Sequence, residues 1–587
     1  MISFIKIENF RSCECVEFNL TKSLPVVGMN NVGKSNILRA IDWFISPKAL
    51  VEKDYYNPSL PVVVTATFTN ISTSLPVEEC NHSKALKPYI KNDDLTIMCE
   101  HPLGQTTKSM SYKVLDTNGD WQDNPTGLSN ALKALLMPQV IKIDAMDNCE
   151  EEVTKNKSTS AFGQLMKIVQ KDISDAVKKD SRLQWAFRIY EQKFKESSDK
   201  RLPVFKRLGD ELNEHVSEFW QNPQLSMSVP LLGLDDIVKN STIKIGDNYA
   251  EFSSLGHGAQ RSIQMGLLKY LASKKNEGTS LNTLLLIDEP ELYLHPHAVE
   301  LVRDALEELT ENGFQVVFTT HSPSMVTAEK IADTLKVKMI DGKTKVSQSL
   351  NSAVQNIVTD AQAQSDILFS FYGNSQILFS EKVLLVEGHS EEALIPHLFK
   401  FDTGKTLAQL NIGLINMTSC DNLKKMAKIL QACDIDYCSI VDLDYMKSIE
   451  DTALTPDLDK CKAELAEIPN VTLNGGWPQK GIISAPEAFS ILAKNSDVQK
   501  AINNISIYMK RHNVWIWKCG DFEDLIGRKN LGGKKAKAEH AKLVTDIKTS
   551  GLSSVIENDV ELKEMCLWLA PIEMRGYPLE ENEKISA

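Results

Sequence analysis

Two apolar runs that end in acids constrain this 587-residue chain more than any other feature. Val383-Leu-Leu-Val386 leads directly into Glu387-Gly388-His-Ser-Glu391, and further along Ile440-Val441 leads into Asp442-Leu-Asp444. A run without polar alternation reads as a strand buried on both faces, as in a parallel sheet covered by helices. Carboxylates at the C-terminal ends of such strands lie where open parallel sheets present their active sites. The pair predicts an α/β domain with a divalent-metal site suited to phosphodiester chemistry.

The rest of the chain bounds that reading. A length of 587 residues exceeds one core and predicts about two to four domains of roughly 100–200 residues. Hydrophobic residues at 42% and charged residues at 24% are ordinary globular usage, which excludes wholesale disorder or a fibrous architecture. No apolar run reaches about 18 residues and no secretory leader is evident, so a cytoplasmic protein without a membrane partner is expected. The 11 cysteines are odd in number and lack a C-x-x-C pair, as expected for reduced structural thiols. Cys13 and Cys15 alternate along a strand and read the same way. A net charge of −13 excludes a surface coated for nucleic acid, so any such contact must be local.

Upstream, a second set of motifs marks a nucleotide site. The strand-like Leu24-Pro-Val-Val27 precedes Gly28-Met-Asn30-Asn31-Val-Gly33-Lys34-Ser35, and a helical pattern starts at Asn36. This is the phosphate loop G-x-x-x-x-G-K-[ST] in its strand, loop, helix context. Its glycines let backbone N–H groups wrap a β-phosphate, Lys34 offsets β/γ charge, and the Ser35 hydroxyl suits Mg²⁺. Leu284-Leu-Leu-Ile287 ends in Asp288-Glu289, the first acid suiting the Mg²⁺ shell and the second the polarisation of an attacking water. Thr319-Thr-His321 follows another apolar strand and offers an imidazole to sense a γ-phosphate. Ser253-Ser254-Leu-Gly256-His-Gly258-Ala-Gln260 opens a helix with a further nest for phosphate.

The texture between motifs sets the expected layout. Ile2 to Arg11 alternates apolar and polar residues, and about 60 to 145 is rich in β-branched alternation, as in Val62–Thr69. From about Ser160 to Trp220 apolar residues recur at three-to-four spacing among charges, which predicts a helical insertion with an association surface. Strands return at Thr283–Ile287 and Gln315–Phe318, and the polar stretch Asp360–Ser375 is the expected domain junction. A βαβ series follows at Lys382–Val386, Leu410–Ile415 and Tyr437–Val441, and a lysine-rich helical tail begins near Gly527.

The order of phosphate loop, glycine signature, Asp-Glu strand and His loop resembles the ABC-type ATPases. Asn9-Phe-Arg11 and Glu289-Pro-Glu-Leu-Tyr-Leu-His295-Pro resemble their DNA-repair branch, the RecF and SMC-like proteins. The resemblance adds Arg11, Asn30, Asn31 and Asn36 to an ATP-contacting set of Gly33, Lys34, Ser35, Ser254, Gly256, Gly258, Gln260 and Asp288. It also implies that one subunit's signature completes the other's ATP site, hence a homodimer or a larger assembly such as a tetramer. Glu387-Gly388 and Asp442-x-Asp444 resemble the Toprim domain of primases, type II topoisomerases and nucleases. The absence of a zinc-binding module argues against a primase, and an ABC head is the wrong ATPase for a type II topoisomerase.

Together these motifs resemble the OLD (overcoming lysogenization defect) family over essentially the whole chain, and Glu387-Gly-His-Ser-Glu391 fits its E-G-x-x-E form. The implied layout is an α/β ABC-type ATPase head in two parts, 1–159 and 226–365, around a helical dimerisation insertion at 160–225. A Rossmann-like Toprim nuclease domain with a helical tail then spans 376–587. The resemblance makes Glu523 of Gly520-Asp-Phe-Glu523 a further ligand, assigning Glu387, Glu391 and Asp442 to one Mg²⁺ or Mn²⁺ ion and Asp444 and Glu523 to a second. A catalytic lysine falls among Lys534, Lys535 and Lys537, with Lys535 favoured; the same stretch also reads as a helical face for the DNA backbone. The implied activity is an ATP-regulated DNA endonuclease of phage defence. Members act alone, with a separately encoded helicase as in Gabija systems, or beside a reverse transcriptase and its small DNA as in retrons. The alternative is an ATP-dependent DNA-binding clamp or sensor with a vestigial carboxylate site.

Overall fold

The computed structural model describes residues 1–73, 81–104, 112–123, 125–126, 128–145, 256–275, 283–372, 375–528 and 536–570, with Arg182, Trp185, Ile189, Pro203, Arg207, Lys244, Ile245, Ala250 and Glu251. They belong to two compact units: Met1–Ser23 with Ser35–Thr319, and Leu24–Lys34 with Thr320–Ala587. Apart from five single residues, the expected insertion at 160–225 lies outside the described residues. Among the described residues no helix is long and apolar enough to cross a membrane.

The first unit holds an antiparallel meander that builds the expected β-rich stretch. Ile2–Phe10 pairs with Cys13–Asn19 on one side and Val62–Phe68 on the other, and Leu95–His101, Tyr112–Leu115 and Trp121–Asp123 follow in order. Alternate residues of Val62–Phe68 are buried, as period-two patterning requires of a sheet with one core face. A parallel ladder joins Gln139–Ile143, Thr283–Ile287 and the strand Phe314–Thr320. Every residue of Thr283–Ile287 is buried, which explains its unbroken apolar sequence.

In the second unit the strand Ser23–Val27 lies parallel to Leu335–Ile340 through Val26↔Leu335 and Val27↔Lys336. Leu335–Ile340 turns through Asp341 and Gly342, both at positive φ, into Lys343–Val346. A four-stranded parallel sheet then runs in the order Ile412–Asn416, Lys382–Val386, Asp436–Val441, Val514–Ile516. Its acid-ended strand divides its side chains between two cores. Val383 and Leu385 pack with Ile415, Leu430 and Phe489, whereas Leu384 and Val386 pack with Leu394, Phe399, Trp515 and Trp517. Burial on both faces is what the sequence Val-Leu-Leu-Val encodes.

One strand starts later than expected, and a helix lies within the expected junction. Ile412–Asn416 starts later than Leu410 because Ala408–Leu410 form a short turn closed by Asn411 at φ 54°. Asp360–Ser375, expected as a junction, contains the helix Ala361–Tyr372. Its Ile367 and Phe371, one helical turn apart, are 3% and 0% exposed in the core that holds Val383 and Leu385. The polar residues lie before the pair, at Gln362 and Gln364–Asp366, while Ile367-Leu-Phe-Ser-Phe-Tyr372 is an apolar run.

Phe371→Ala should therefore destabilise the full chain by roughly 3–5 kcal/mol, the usual loss for a buried phenylalanine. Urea unfolding monitored by tryptophan fluorescence checks this, and a change below about 1 kcal/mol would contradict the packing of Phe371 in that core.

Candidate functional site

The parallel strands of the second unit end at one edge, and carboxylates collect there. Lys382–Val386 delivers Glu387, and Gly388 caps the helix His389–Thr403 without a side-chain bond. A Cβ on Gly388 would stand 3.0 Å from Glu391 Oε2. A bare Gly388 thus lets the first-turn carboxylate fold back onto the helix N-terminus, where the Glu391 and Gly388 N–H groups donate to it. Glu391 is only 5% exposed, and burial, reinforced by the charges of Glu387 and Asp521, pushes its pKa up to about 7.

The neighbouring acids are held by donors from adjacent strands and loops. Glu387 accepts from the Asp442 N–H at 3.3 Å and from the Cys420 thiol and backbone. Burial, then the Asp444 charge, still raises its pKa. Asp442 Oδ1 accepts from the Phe522 N–H at 3.1 Å, at the start of the helix Phe522–Ile526. Burial and the charges of Glu391, Glu387, Asp521 and Asp444 put its carboxyl well above the usual carboxylate range. Asp444 Oδ2 accepts from Lys447 Nζ at 2.9 Å, while its Oδ1 is buried without a hydrogen-bond partner.

One ligand atom from each of Glu387, Cys420 and Asp444 lies within 4.8 Å of the other two. Buried like charges repel, and a divalent cation relieves both the repulsion and the lost hydration. The unpartnered Asp444 oxygen and the converging oxygen donors fit a hard divalent ion. Glu523 lines a cavity of about 1040 Å³ together with Asp521, Asp524 and Arg528. Lys535 and Ser254 lie outside the described residues.

The phosphate loop is built as its glycines demand. Gly28 has φ +154°, and a Cβ there would stand 2.2 Å from the Val337 carbonyl oxygen. Gly33 and Asn31 also have positive φ, and Thr344 Oγ1 donates to Val32 O at 2.9 Å. Asn30 and Asn31 are exposed, as phosphate-facing residues would be. Lys34, the first residue of the helix Lys34–Ile45, donates to Gly28 O at 3.0 Å and Met29 O at 2.9 Å. Its Nζ also sits 2.8 Å from His321 Nε2.

In the first unit, Asp288 accepts a short hydrogen bond from Thr319 Oγ1. The same hydroxyl accepts from the Glu289 N–H at 3.0 Å, with Glu289 in the left-handed region at φ 48°. Arg261, buried on the helix His257–Lys275, donates to the carbonyls of Asp288 and Glu289 at 3.2 Å each. This ties the glycine-signature helix to the loop after the acid strand. Gly258 is needed there because a Cβ would approach Tyr293 O to 3.1 Å, while Gly256 is exposed and Gln260 buried. Asn36 donates to Ser12 Oγ at 2.8 Å, and Arg11 holds Asp54 through two bonds of 2.7 and 3.0 Å.

Three residues of these sites were not singled out from the sequence: Cys420, Asp521 and Arg261. Cys420 and Asp521 follow the ends of parallel strands, the rule that found Glu387 and Asp442, but neither is announced by a pure apolar run. Arg261 bonds main-chain carbonyls, which leave no side-chain signature.

Residues 1–326, more than half the chain, match the AAA ATPase domain, and residues 378–444 match the overcoming lysogenization defect protein-like TOPRIM domain. The chain is 29% identical to the Old nuclease of Escherichia phage P2 over 596 aligned positions, covering 97% of this chain and 99% of that protein. It is 22% identical to the OLD nuclease of Thermus scotoductus, with 76% and 82% of the two chains covered. It is 24% identical to the Endonuclease GajA of Bacillus cereus, with 67% and 66% covered.

The raised carboxyl of Glu391 has a measurable consequence. Between about pH 4.5 and 7 the folded site keeps a proton that the unfolded chain has lost, so the metal-free protein should lose stability as pH rises through that window and level off above it. A shift from 4.5 to about 7 corresponds to roughly 3 kcal/mol. Glu391→Gln should flatten this share of the slope in urea unfolding at stepped pH with a chelator present, and an unchanged slope would contradict the assignment.

Proposed function

Since this chain belongs to the OLD family, with an AAA ATPase domain at residues 1–326 and an OLD-like TOPRIM domain at residues 378–444, we infer that it is an ATPase-coupled, metal-dependent endonuclease that cuts DNA. The observation that carries this reading is the convergence of Glu387, Cys420 and Asp444 with an unpartnered buried Asp444 oxygen inside a TOPRIM-type sheet. Nucleotide and divalent metal follow from the two domains. The ions are Mg²⁺ or Mn²⁺, two in number, with Glu387, Glu391 and Asp442 at one position and Asp444 and Glu523 at the other.

A bound divalent ion supplies Lewis acidity toward the phosphodiester and an acidified water. The chain supplies the rest. Asp442 is fixed by the Phe522 N–H and Glu387 by the Asp442 N–H, so two carboxylates from adjacent strands keep one spacing before any ion arrives. Glu391, folded back at its helix N-terminus, would join Glu387 and Asp442 in holding an ion. Lys535 stabilises charge on the scissile phosphate.

In the ATPase part, Lys34, now bonded to Gly28 O, Met29 O and His321, would hold the β/γ-phosphates, and Ser35 and Asp288 would hold Mg²⁺. Glu289, its backbone pinned to Thr319, would polarise the attacking water, and His321 would sense the γ-phosphate. Arg11, Asn30, Asn31, Gly33 and Asn36 complete the pocket, and Ser254, Gly256, Gly258 and Gln260 act on a second subunit's nucleotide. The assembly is a homodimer or larger, joined through a helical segment at 160–225 between head parts 1–159 and 226–365, with the nuclease at 376–587. Phage defence is the role this reading implies, alone or beside a separately encoded helicase or reverse transcriptase.

Supercoiled plasmid incubated with Mg²⁺ or Mn²⁺ tests the central reading. Glu387→Ala and Asp442→Ala should each lose cleavage by more than about 100-fold while ATP hydrolysis persists. Lys34→Ala should lose hydrolysis. Wild-type protein that leaves plasmid intact under every metal and nucleotide condition would favour a DNA-binding clamp instead. Deleting residues 160–225 should lower the mass in light scattering to that of a monomer, and an unchanged mass would remove the dimerisation role.

A further inference from the structure

Cys420 reaches the acids from the sheet's remaining neighbour strand. Ile412–Asn416 lies parallel to Lys382–Val386, with Asn416 beside Val386, and the loop that leaves it is bound closely in place. Met417 N donates to Val386 O at 2.8 Å, Asn422 Nδ2 donates to Met417 O at 3.0 Å, and Ser419 Oγ accepts from Asp421 N at 3.3 Å. This brings the Cys420 sulfur within 4.8 Å of carboxylate oxygens of both Glu387 and Asp444, with its thiol donating to Glu387.

Among the described residues, Cys420 is the sulfur donor in a set otherwise made of carboxylates. Mg²⁺ takes oxygen ligands in strict octahedral geometry, whereas Mn²⁺, Zn²⁺ and especially Cd²⁺ accept sulfur with increasing ease. Cys420 packs against the apolar core that holds Val383 and Leu385, and packing alone does not require that its sulfur also face two acids, one of which has a buried oxygen without a partner.

We propose that Cys420 determines metal preference: its sulfur joins Asp444 around one ion, with Glu387 reaching over from the neighbouring position, and turns the Asp444 position from Mg²⁺ toward sulfur-accepting divalent cations. This rests on the metal-dependent reading above. On coordination the sulfur–metal bond forms as the S–H bond breaks, and the proton leaves to solvent, one for each ion bound.

The test uses the full chain and the metals alone. Cd²⁺ is titrated into wild-type, Cys420→Ser and Asp444→Asn proteins while the ultraviolet sulfur-to-cadmium charge-transfer band is followed, and Mg²⁺ affinity is measured by calorimetry. The proposal expects both variants to lose the same increment of the band. Cys420→Ser should weaken Cd²⁺ binding by about 10–100-fold while leaving Mg²⁺ affinity within about twofold. Equal band amplitude in wild type and Cys420→Ser would overturn it, and so would an equal fall in affinity for both ions, which marks a thiol acting only through Glu387. Circular dichroism of Cys420→Ser, a near-isosteric change, checks that the fold persists. Absent plasmid cleavage with the cadmium result intact would sink the nuclease reading and leave this one standing.

Discussion

The structure of the second unit turns on the cost of burying several carboxyls at one sheet edge. Glu387, Glu391, Asp442 and Asp521 all have raised pKa values, each chiefly through lost hydration and then through their neighbours' charges. Nothing in the local hydrogen bonding cancels that cost. Backbone N–H groups of Asp442 and Phe522 orient the acids, and a helix N-terminus receives Glu391, but Asp444 keeps one oxygen without a partner. The sheet is accordingly arranged for a cation. Two-sided burial of Val383 to Val386 provides the rigid base that such an arrangement requires.

Packing explains why the acids tolerate this position. Leu384 and Val386 share one core with Trp515, Trp517 and Phe399, and Val383 and Leu385 the other with Leu430 and Phe489, so a slip of the strand by one residue would draw the flanking Lys382 or Glu387 into an apolar layer. Register then fixes Glu387 beside the Asp442 N–H. A helix supplies Glu391, a second strand Asp442, and a turn after that strand Asp444, so three different backbone conformations aim carboxylates at one region.

Much of this was legible in the sequence, and the reasons differ by residue. Glu387, Asp442, Asp288 and the loop Gly28–Ser35 follow unbroken apolar strands, and the chemistry sits one step past the last apolar residue. The need for glycine at position 28 was legible too, since the motif demands it and the Val337 carbonyl enforces it. Cys420 was not, because its strand contains Gly413 and ends in Asn416, and Thr418 and Ser419 read as an ordinary loop. The packed helix Ala361–Tyr372 begins among polar residues, and its apolar signal, Ile367-Leu-Phe-Ser-Phe-Tyr372, comes only in its second half, where Ile367 and Phe371 are buried and Leu368 packs against the same core.

The nucleotide loop and the acid strands also share one packed body, and the strand Leu335–Ile340 joins them. One edge of it carries the phosphate-loop strand at Val26 and Val27. From the same strand Lys336 donates to Ser380 O at 3.0 Å, just before Lys382–Val386, and Lys338 donates to Asp434 O, just before Asp436–Val441. Burial, with Lys338 next, lowers the Lys336 pKa to about 8, so its ammonium is held at a cost that the carbonyl bond offsets. Losing that bond would leave a buried charge uncompensated, which is more expensive than losing a surface contact. Two lysines on one strand therefore fix the starts of both acid strands relative to the phosphate-loop strand. Within this unit the loop and the carboxylates cannot be displaced independently without breaking one of those bonds.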